Sequence, residues 1–572
     1  MLNVFFMIST CLICIFVMIK WQVERKSTGL NKETKSRYEK AEINKIPVLS
    51  WLSNERLQIA VFWIITIIAV AVRLWELGKI PYGLSVDEAS IGYDAFAIGN
   101  YGFDRNGFHL PIYPIGPGQG HGPLLTYLSI PAIRILGLSI FSLRLTNAAL
   151  SCTAVILSYF LIRRLAGSRS IALIGYWLMS TAPVLIMSSR WALDGCAVPS
   201  LFIIALFFFV RAIDTQKTLD YIFAAAFFAL ICYSYGPVLI VAPVFLVLSC
   251  IYLLCHKKLT GLQLGVSAVT FLIVITPLVV FLLRNILGLP AINSFISFPR
   301  FNGMRTDTVF SGTLNLLHGL KLIFSQVDHL PWNSVPEFGT TYMFTSPLIV
   351  FGLIILLVNI IVSIKTKTYS HFVLLGAYLA GSFLLCALYD ETININRISV
   401  IYPCIILLIL LAVVEIVRRS RYLAAVLCIF VAVSFTMFTA DYFGEHYKEY
   451  FGDAFFYSLG DALEFAMDKT DGTIYVTETY QNYPSIYPLF YSEMPPEDYY
   501  STVTYYDKNA HVLHAMSYDR FIFGIPVEKD LNAAYIILDV EAEQFINLLP
   551  YFDYQVFEYY AVMYPREASA QQ

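Results

Sequence analysis

Two adjacent acidic residues, Asp87 and Glu88, follow the second long apolar run of the sequence. Pro81 and Gly83 end the helix expected from that run, so a new helix should begin near Asp87, with Ser85 or Asp87 as its cap. Neighbouring residues of a helix point in different directions, so the two carboxylates should have separate roles. A free aspartate can take the proton of a hydroxyl group as a general base. Helix capping and general-base chemistry therefore both remain open for Asp87.

Two arginines, Arg190 and Arg397, stand at the ends of other apolar runs. A guanidinium group can hold phosphate oxygens through two parallel hydrogen bonds, so both are candidates for binding a phosphate. The alternative for Arg190 is an ion pair with Asp194, four residues later. The alternative for Arg397 is anchoring of its helix at a membrane surface. Further phosphate-binding candidates in the segment 284–344 are Arg300, Arg305 and Lys321.

The other polar side chains near Asp87 fit either substrate binding or support of their loop. His121 could bind phosphate or an acceptor, but packing with a hydrogen-bonded ring is the favoured interpretation, and Asp104 and Arg105 should organise the segment internally. Asp87, Glu88 and His121 could converge on a metal ion, but their spacing is not that of a zinc site, so no metal or other cofactor is predicted. Residues expected to contact substrate or hold the loop are Tyr93, Asp94, His121 and Asp194.

The elements that must position these residues are membrane-spanning helices. Of the 572 residues, 58% are hydrophobic and 14% are charged, and the mean hydropathy is +0.65. Soluble domains carry about 25% charged residues, so most of this chain cannot face water. About twelve runs are long enough to cross the ~30 Å hydrocarbon layer. They are 2–19, 57–75, 139–162, 171–188, 198–213, 220–235, 237–255, 262–283, 345–364, 371–389, 398–417 and 422–440.

The charges of the connecting segments predict which side of the membrane each one occupies. Segment 20–56 is rich in Lys and Arg, and every second connection after it is short and basic, as expected of cytoplasmic loops. The outward segments are then 76–138, 189–197, 284–344, 390–397 and the tail after 440. Asp87, Arg190 and Arg397 all fall on this outer side. The net charge of -3 says nothing about nucleic acid, but no basic tract is dense enough to suggest binding, so no nucleic-acid partner is predicted.

Three parts of the chain are predicted. Residues 1–56 form an anchor helix followed by a basic cytoplasmic segment. The alternative for the first helix is a signal segment that is cleaved. Residues 57–440 form a multi-span catalytic membrane domain. Residues 441–572 form a small extracytoplasmic α/β domain, with a helix around Leu459–Met467 and strands near Thr473–Thr477 and Ala534–Asp539. This tail has no cysteine, which is ordinary for a bacterial extracytoplasmic domain.

Six sequence motifs carry a resemblance to a known family. They are VDEASIGYDAFAI (86–98), YGFDRNG (101–107), GQGHGPLLTYL (118–128), SRWALD (189–194), YSYG (233–236) and INRI (395–398). In order and placement they resemble bacterial glycosyltransferases of family 39, the relatives of protein O-mannosyltransferases and of the lipid A aminoarabinose transferase. The resemblance covers roughly residues 57–440. Relatives have a Lys-Pro-Pro segment where this chain has His121-Gly122-Pro123.

The resemblance implies an all-α polytopic protein with the glycosyltransferase C fold. Such enzymes take a sugar from a polyprenyl-phosphate donor and transfer it, with inversion, to an acceptor on the outer face of the cell membrane. With such a donor, Asp87 is the candidate general base, and Arg190, Arg397 and Arg300 are the candidate ligands of the donor phosphate. Glu88, beside Asp87 in the catalytic site, is expected either to serve the acceptor or to hold the loop. The acceptor could be a protein, a glycan or a lipid.

Two other classes of function compete with a transferase. A transporter or flippase for a lipid-linked glycan would carry ionisable residues and broken helices at mid-membrane, often in two related halves. Here the candidate residues lie at the outer ends of spans, and no internal repeat is evident. A non-catalytic glycan-binding membrane protein of the cell envelope would have no need of an intact acidic pair. Both features favour the enzyme.

Overall fold

The computed structural model describes residues 2–27, 54–116, 120–302, 314–389, 392–452, 454–480 and 483–566. Helices dominate the first four-fifths of the chain, and strands appear only after residue 473. The helices before the strands are α1 (Leu2–Ser27), α2 (Glu55–Leu74), α3 (Val86–Tyr101), α4 (Pro123–Leu136), α5 (Ile140–Ala166), α6 (Arg169–Thr181), α7 (Pro183–Ser189), α8 (Asp194–Thr215), α9 (Thr218–Ile231), α10 (Val238–Cys255), α11 (Gly261–Ile286), α12 (Leu317–Ser325), α13 (Ser346–Thr366), α14 (His371–Leu388), α15 (Tyr402–Arg419), α16 (Arg421–Tyr442), α17 (Glu445–Phe451) and α18 (Leu459–Lys469).

The apolar helices agree with the predicted spans. Ten helices of the described chain are long and apolar enough to cross a membrane. The predicted span 171–188 is instead the pair α6 and α7, which bends by 56° where Pro183 starts the second helix. Proline has no N–H to continue the first helix. The predicted span 220–235 corresponds to α9, which is apolar but has only 14 residues. The chain is a multi-span membrane protein.

The segment 76–138 contains two helices between the second and third spans. Helix α3 begins as predicted near Asp87, with Ser85 as the cap: the Ser85 hydroxyl accepts from the Glu88 amide and the Glu88 carboxylate accepts from the Ser85 amide. Helix α4 was not predicted, because its 14 residues, which include Pro131, are too few for a span. It starts at Pro123, where a missing N–H has no cost, and it packs along α3.

The tail folds into the predicted α/β unit. Its seven-stranded sheet has the order β2-β3-β4-β1-β5-β7-β6, in which β1 runs parallel to β4 and β5 and the other pairs are antiparallel. The strands are β1 (Ile474–Val476), β2 (Thr504–Tyr505), β3 (Ala515–Tyr518), β4 (Phe521–Phe523), β5 (Ala534–Leu538), β6 (Phe552–Val556) and β7 (Tyr560–Pro565), with short helices α19 (Ile486–Ser492) and α20 (Pro496–Thr502) between β1 and β2. The predicted helix and both predicted strands are present.

The α/β unit shares an apolar core with helix α3. The hydroxyl of Tyr487 donates to the carbonyl of Leu84 (2.7 Å), and that of Tyr93 donates to the carbonyl of Met494 (2.8 Å). Gly92 lets the two parts meet closely, since a Cβ there would lie 2.7 Å from the Phe490 ring. Helix α3 is therefore held between the membrane helices and the tail, and the start of α3 has a fixed position.

Candidate active site

The two carboxylates at the start of α3 have different environments. Asp87 is exposed, whereas Glu88 is fully buried. The Glu88 oxygens pair with both sides of the Arg144 guanidinium on α5, at 2.9 Å from Nε and 2.9 Å from Nη2. Glu88 also accepts a hydrogen bond from the amide of Ala192 (2.8 Å). The prediction that the pair has separate roles is consistent with this arrangement.

Arg144 is a site residue that the sequence interpretation missed. Its Nη1 and Nη2 donate to the carbonyls of Pro81 and Gly83, both at 2.7 Å, so it ties down the turn before α3. Its guanidinium also lies 4.7 Å from the centre of the Trp191 ring. A lone arginine inside an otherwise apolar span is costly unless it is paired. That cost is the sequence signal by which Arg144 could have been found.

Asp194, the first residue of α8, brings a second carboxylate close to Asp87. The two carboxylates are near enough to repel each other. One Asp194 oxygen accepts a short hydrogen bond from the Gly122 amide, and the other is buried without a hydrogen-bond partner among the described residues. Glycine is required at 122 because a Cβ would lie 1.8 Å from the carbonyl oxygen of Ser234. Three of the sequence motifs therefore meet at Asp194.

Arg397 approaches the same place from the segment before α15. Its Nη1 donates to the carbonyl and hydroxyl of Thr392 (2.7 and 2.6 Å), and its guanidinium lies 5.8 Å from the centre of the Tyr389 ring. The phenol of Tyr235 is within electrostatic range of Arg397, Asp194 and Asp87. Arg397 is only half-buried. Arg397 and the two aspartates thus lie within electrostatic range of the same phenol, and Arg397 is partly accessible to solvent.

Arg190 occupies a different position. Its side chain is fully buried, and its guanidinium donates to the carbonyls of Val72 (3.0 Å), Trp75 (2.5 Å) and Ile80 (2.8 Å). The ring of Phe443 covers it, 5.0 Å away. Arg190 therefore closes the C-terminal end of α2 by satisfying its last carbonyl groups, which have no partner within the helix. The structure does not bring it to the surface that carries Asp87.

The remaining predicted residues form a buried network or lie apart. Asp94 pairs with Arg105 through two contacts of 2.9 Å, and His121 Nε2 lies 3.5 Å from the same carboxylate. The buried Tyr93 donates to the α/β unit, as described above. These residues support the loop, which is the favoured interpretation of His121, Asp104 and Arg105. Arg300 and Lys321 are exposed, and Arg305 lies outside the described residues.

The buried His121 predicts a pH dependence of stability. Burial lowers the pKa of His121 to about 4, against the opposing effect of the Asp94 charge. The unfolded chain, with a histidine pKa of about 6.5, therefore binds more protons than the folded protein between pH 4 and 6.5, so stability falls as the pH drops through this window. Replacement His121→Asn should flatten this part of the profile of thermal midpoint against pH. An unchanged slope would contradict the assignment.

No metal site is evident in the parts of the chain that the structure describes. No group of three or more His, Cys, Asp and Glu side chains is placed there to hold an ion. Asp87 and Asp194 approach each other, but Glu88 is committed to Arg144 and His121 to the Asp94 network. The three residues considered as convergent ligands are thus divided between different environments.

The chain is similar to a known protein family and to several solved structures. Residues 120–281 match the family model of dolichyl-phosphate-mannose-protein mannosyltransferases. No curated protein sequence matches the chain significantly. Among solved structures, ArnT from Cupriavidus metallidurans bound to undecaprenyl phosphate is similar, with 13% identity over 90% of this chain and 98% of ArnT and a TM-score of 0.53.

Two further structures are similar. The apo form of the same ArnT has 12% identity, covers 90% of this chain and 97% of ArnT, and gives a TM-score of 0.54. The oligosaccharyltransferase AglB from Archaeoglobus fulgidus, in complex with an inhibitory peptide and a dolichol-phosphate, has 13% identity over 77% of this chain and 64% of AglB, with a TM-score of 0.46. The family model confirms the resemblance to the mannosyltransferase family over residues 120–281, and the chain shares the fold of ArnT.

Proposed function

We propose that this protein transfers a sugar from a polyprenyl-phosphate donor to an acceptor hydroxyl on the outer face of the cell membrane, with inversion. The supporting observation is the exposed carboxylate of Asp87, which stands with Asp194 and Arg397 where several apolar helices begin or end. ArnT, which shares the fold, binds undecaprenyl phosphate in one of its structures, and this supports a lipid-linked donor. The basic segments on the opposite ends of the spans support the outward orientation.

The chemistry of this reaction requires one carboxylate. A glycosidase needs a second, acidic carboxyl group because its leaving alkoxide must be protonated. Here the bond from the anomeric carbon to the phosphate oxygen breaks, and the phosphate leaves as a stable anion. Asp87 takes the proton of the acceptor hydroxyl as its oxygen attacks the opposite face of the anomeric carbon. The anomeric configuration is therefore inverted.

Glu88 supports this chemistry without contacting the substrate. It holds Arg144, the Ala192 amide and the cap of α3 together, so it fixes where Asp87 points. We assign it as a positioning residue, and Asp94, His121 and Tyr93 as supports of the same loop. Catalysis belongs to residues 57–440, with the α/β unit of 441–572 packed against α3.

Arg397 is the proposed ligand of the donor phosphate. It is half-buried and near the aspartates, whereas Arg190 is fully buried among carbonyl groups. A hydrogen bond to a charged group contributes about 1.5–3 kcal/mol, so Arg397→Gln should raise the KM for the donor by roughly 10- to 150-fold. Michaelis kinetics with varied donor concentration measure this. The exposed Lys217, which precedes α9 in one of the short basic connections, provides the control, since Lys217→Gln should leave the KM unchanged. Equal effects of both substitutions would contradict the assignment.

The experiment that tests the function compares envelope glycans. Strains lacking the protein, or carrying Asp87→Asn in its place, should lose the same sugar from a protein, a wall polymer, a lipid-linked saccharide or a glycolipid. The lost residue identifies both donor and acceptor, and its linkage in the wild type shows whether the configuration of the donor is inverted. Unchanged glycans in both strains would refute a transferase. Accumulation of an unflipped lipid-linked glycan in the deletion strain alone would instead indicate a flippase.

A further inference from the structure

The segment 286–296, which follows helix α11, is an exposed apolar stretch. All of its residues are exposed, including Leu287 (69%) and Phe295 (81%). Asn293 and Ser294 are the only residues in it with polar side chains, and the described sequence from 285 to 302 contains no acidic residue. Soluble surfaces rarely present so continuous a run of apolar side chains to water. Something apolar should cover this segment in the native setting.

The apolar surface of the segment continues that of a lipid-facing helix. Only 17% of the apolar window of α11 is buried inside the protein, and Leu272, Ile273 and Leu283 on it are at least half exposed. The segment 286–296 begins at the last residue of α11. The lipid-facing surface of α11 therefore continues directly into the apolar surface of the segment 286–296.

Several polar groups of the segment have partners within the protein. The Ile292 and Phe298 amides donate to each other's carbonyls (3.0 and 2.9 Å), and the Leu289 amide donates to the Arg284 carbonyl (2.9 Å). The Asn293 side chain accepts from the His109 amide and donates to the Gly107 carbonyl. Backbone groups that have internal partners can leave water at low cost, and entry into a bilayer requires this.

We propose that the segment 286–296 inserts into the interfacial region of the outer leaflet of the bilayer. Phe295 and Leu287 enter the boundary between headgroups and acyl chains, while the exposed Arg300 lies at the level of lipid phosphates. An apolar surface flanked by cations is typical of elements that lie in this interface. Ser297 pairs with the first outer loop, because its amide donates to the His109 carbonyl and its carbonyl accepts from Ile112. Insertion therefore anchors that loop to the membrane surface.

Site-specific photocrosslinking tests this inference. The full-length protein, with benzoylphenylalanine in place of Phe295, is reconstituted in vesicles of phosphatidylethanolamine and phosphatidylglycerol without polyprenyl lipid, irradiated, and analysed by mass spectrometry. Position 283 on α11 is the lipid-facing control. Val527, which is 97% exposed in the α/β unit, is the control for an apolar side chain in water.

We expect phospholipid adducts at position 295 in amounts comparable to those at position 283. At position 527 we expect none above background. Absence of lipid adducts at 295 when 283 is labelled would overturn the inference. Crosslinks from 295 to a second copy of the chain, in place of lipid, would also overturn it. The readout needs no catalytic activity, so its failure is separable from a failure of the proposed transferase function.

Discussion

Replacement of Asp87 by asparagine should reduce sugar transfer by about 10²–10⁴-fold, the usual contribution of a general base. Asparagine keeps the size of the side chain but cannot take the acceptor proton. The loss should appear in kcat, while the donor KM stays close to the wild-type value, because Arg397 and not Asp87 is proposed to hold the phosphate. Turnover of the donor identified from the deletion strain, measured with purified protein in detergent, gives both constants.

The control for this substitution removes the same charge from the same kind of position. Asp539 is an exposed residue in the first turn of the 3₁₀ helix Asp539–Leu548 of the α/β unit. Loss of either carboxylate removes its favourable interaction with the start of a helix, but Asp87 also interacts with Asp194, and both act on Tyr235 together with Arg397. Asp539→Asn should retain full activity. Near-wild-type transfer by Asp87→Asn would end the assignment of Asp87 as the base.

Much of the fold follows from local patterns in the sequence. Long apolar runs predict spans because the hydrocarbon layer imposes a length and a polarity on every helix that crosses it. The start of α3 near Asp87 was predicted because Pro81 and Gly83 end the helix before it. Helix α4 was missed because it is an apolar helix of only 14 residues, too short to be read as a span, and no membrane thickness fixes its length. Sequence patterns therefore identify the helices whose length the hydrocarbon layer imposes, and they miss shorter helices such as α4.

The site could be predicted only in part, because partner choice depends on packing between distant residues. Asp194 was weighed as a partner of Arg190, four residues away, but one of its oxygens accepts from the Gly122 amide on another segment. Arg190 turns instead toward carbonyl groups at the end of α2. The position of a charged residue along a span predicts its depth in the membrane, but it does not predict the direction in which the side chain points. The cost of Arg144 inside an apolar span signals that it needs a partner, but does not show that this partner is Glu88, 56 positions away in the sequence.

Replacement of Glu88 by glutamine should strongly destabilise the protein. The side chains of Glu88 and Arg144 are both fully buried and share two contacts of 2.9 Å. Breaking a buried pair by removing one partner costs about 3–5 kcal/mol, because the other charge is left uncompensated. The expected result is a large fall in the thermal midpoint of the detergent-solubilised protein. The fraction that remains folded should still transfer sugar, because Asp87 keeps its carboxylate, but with a lower kcat, since Glu88 no longer fixes where Asp87 points.

Two further variants separate the loss of the pair from other effects. Glu55 pairs with Arg169 at the surface, where the side chains are 66% and 40% exposed, so Glu55→Gln should change the thermal midpoint little. The double variant Glu88→Gln with Arg144→Met removes both charges and should be more stable than Glu88→Gln alone, since the uncompensated charge is then absent. If Glu88→Gln were instead stable and inactive, Glu88 would have to act on the substrate directly. The separation of roles between the two carboxylates would then be wrong.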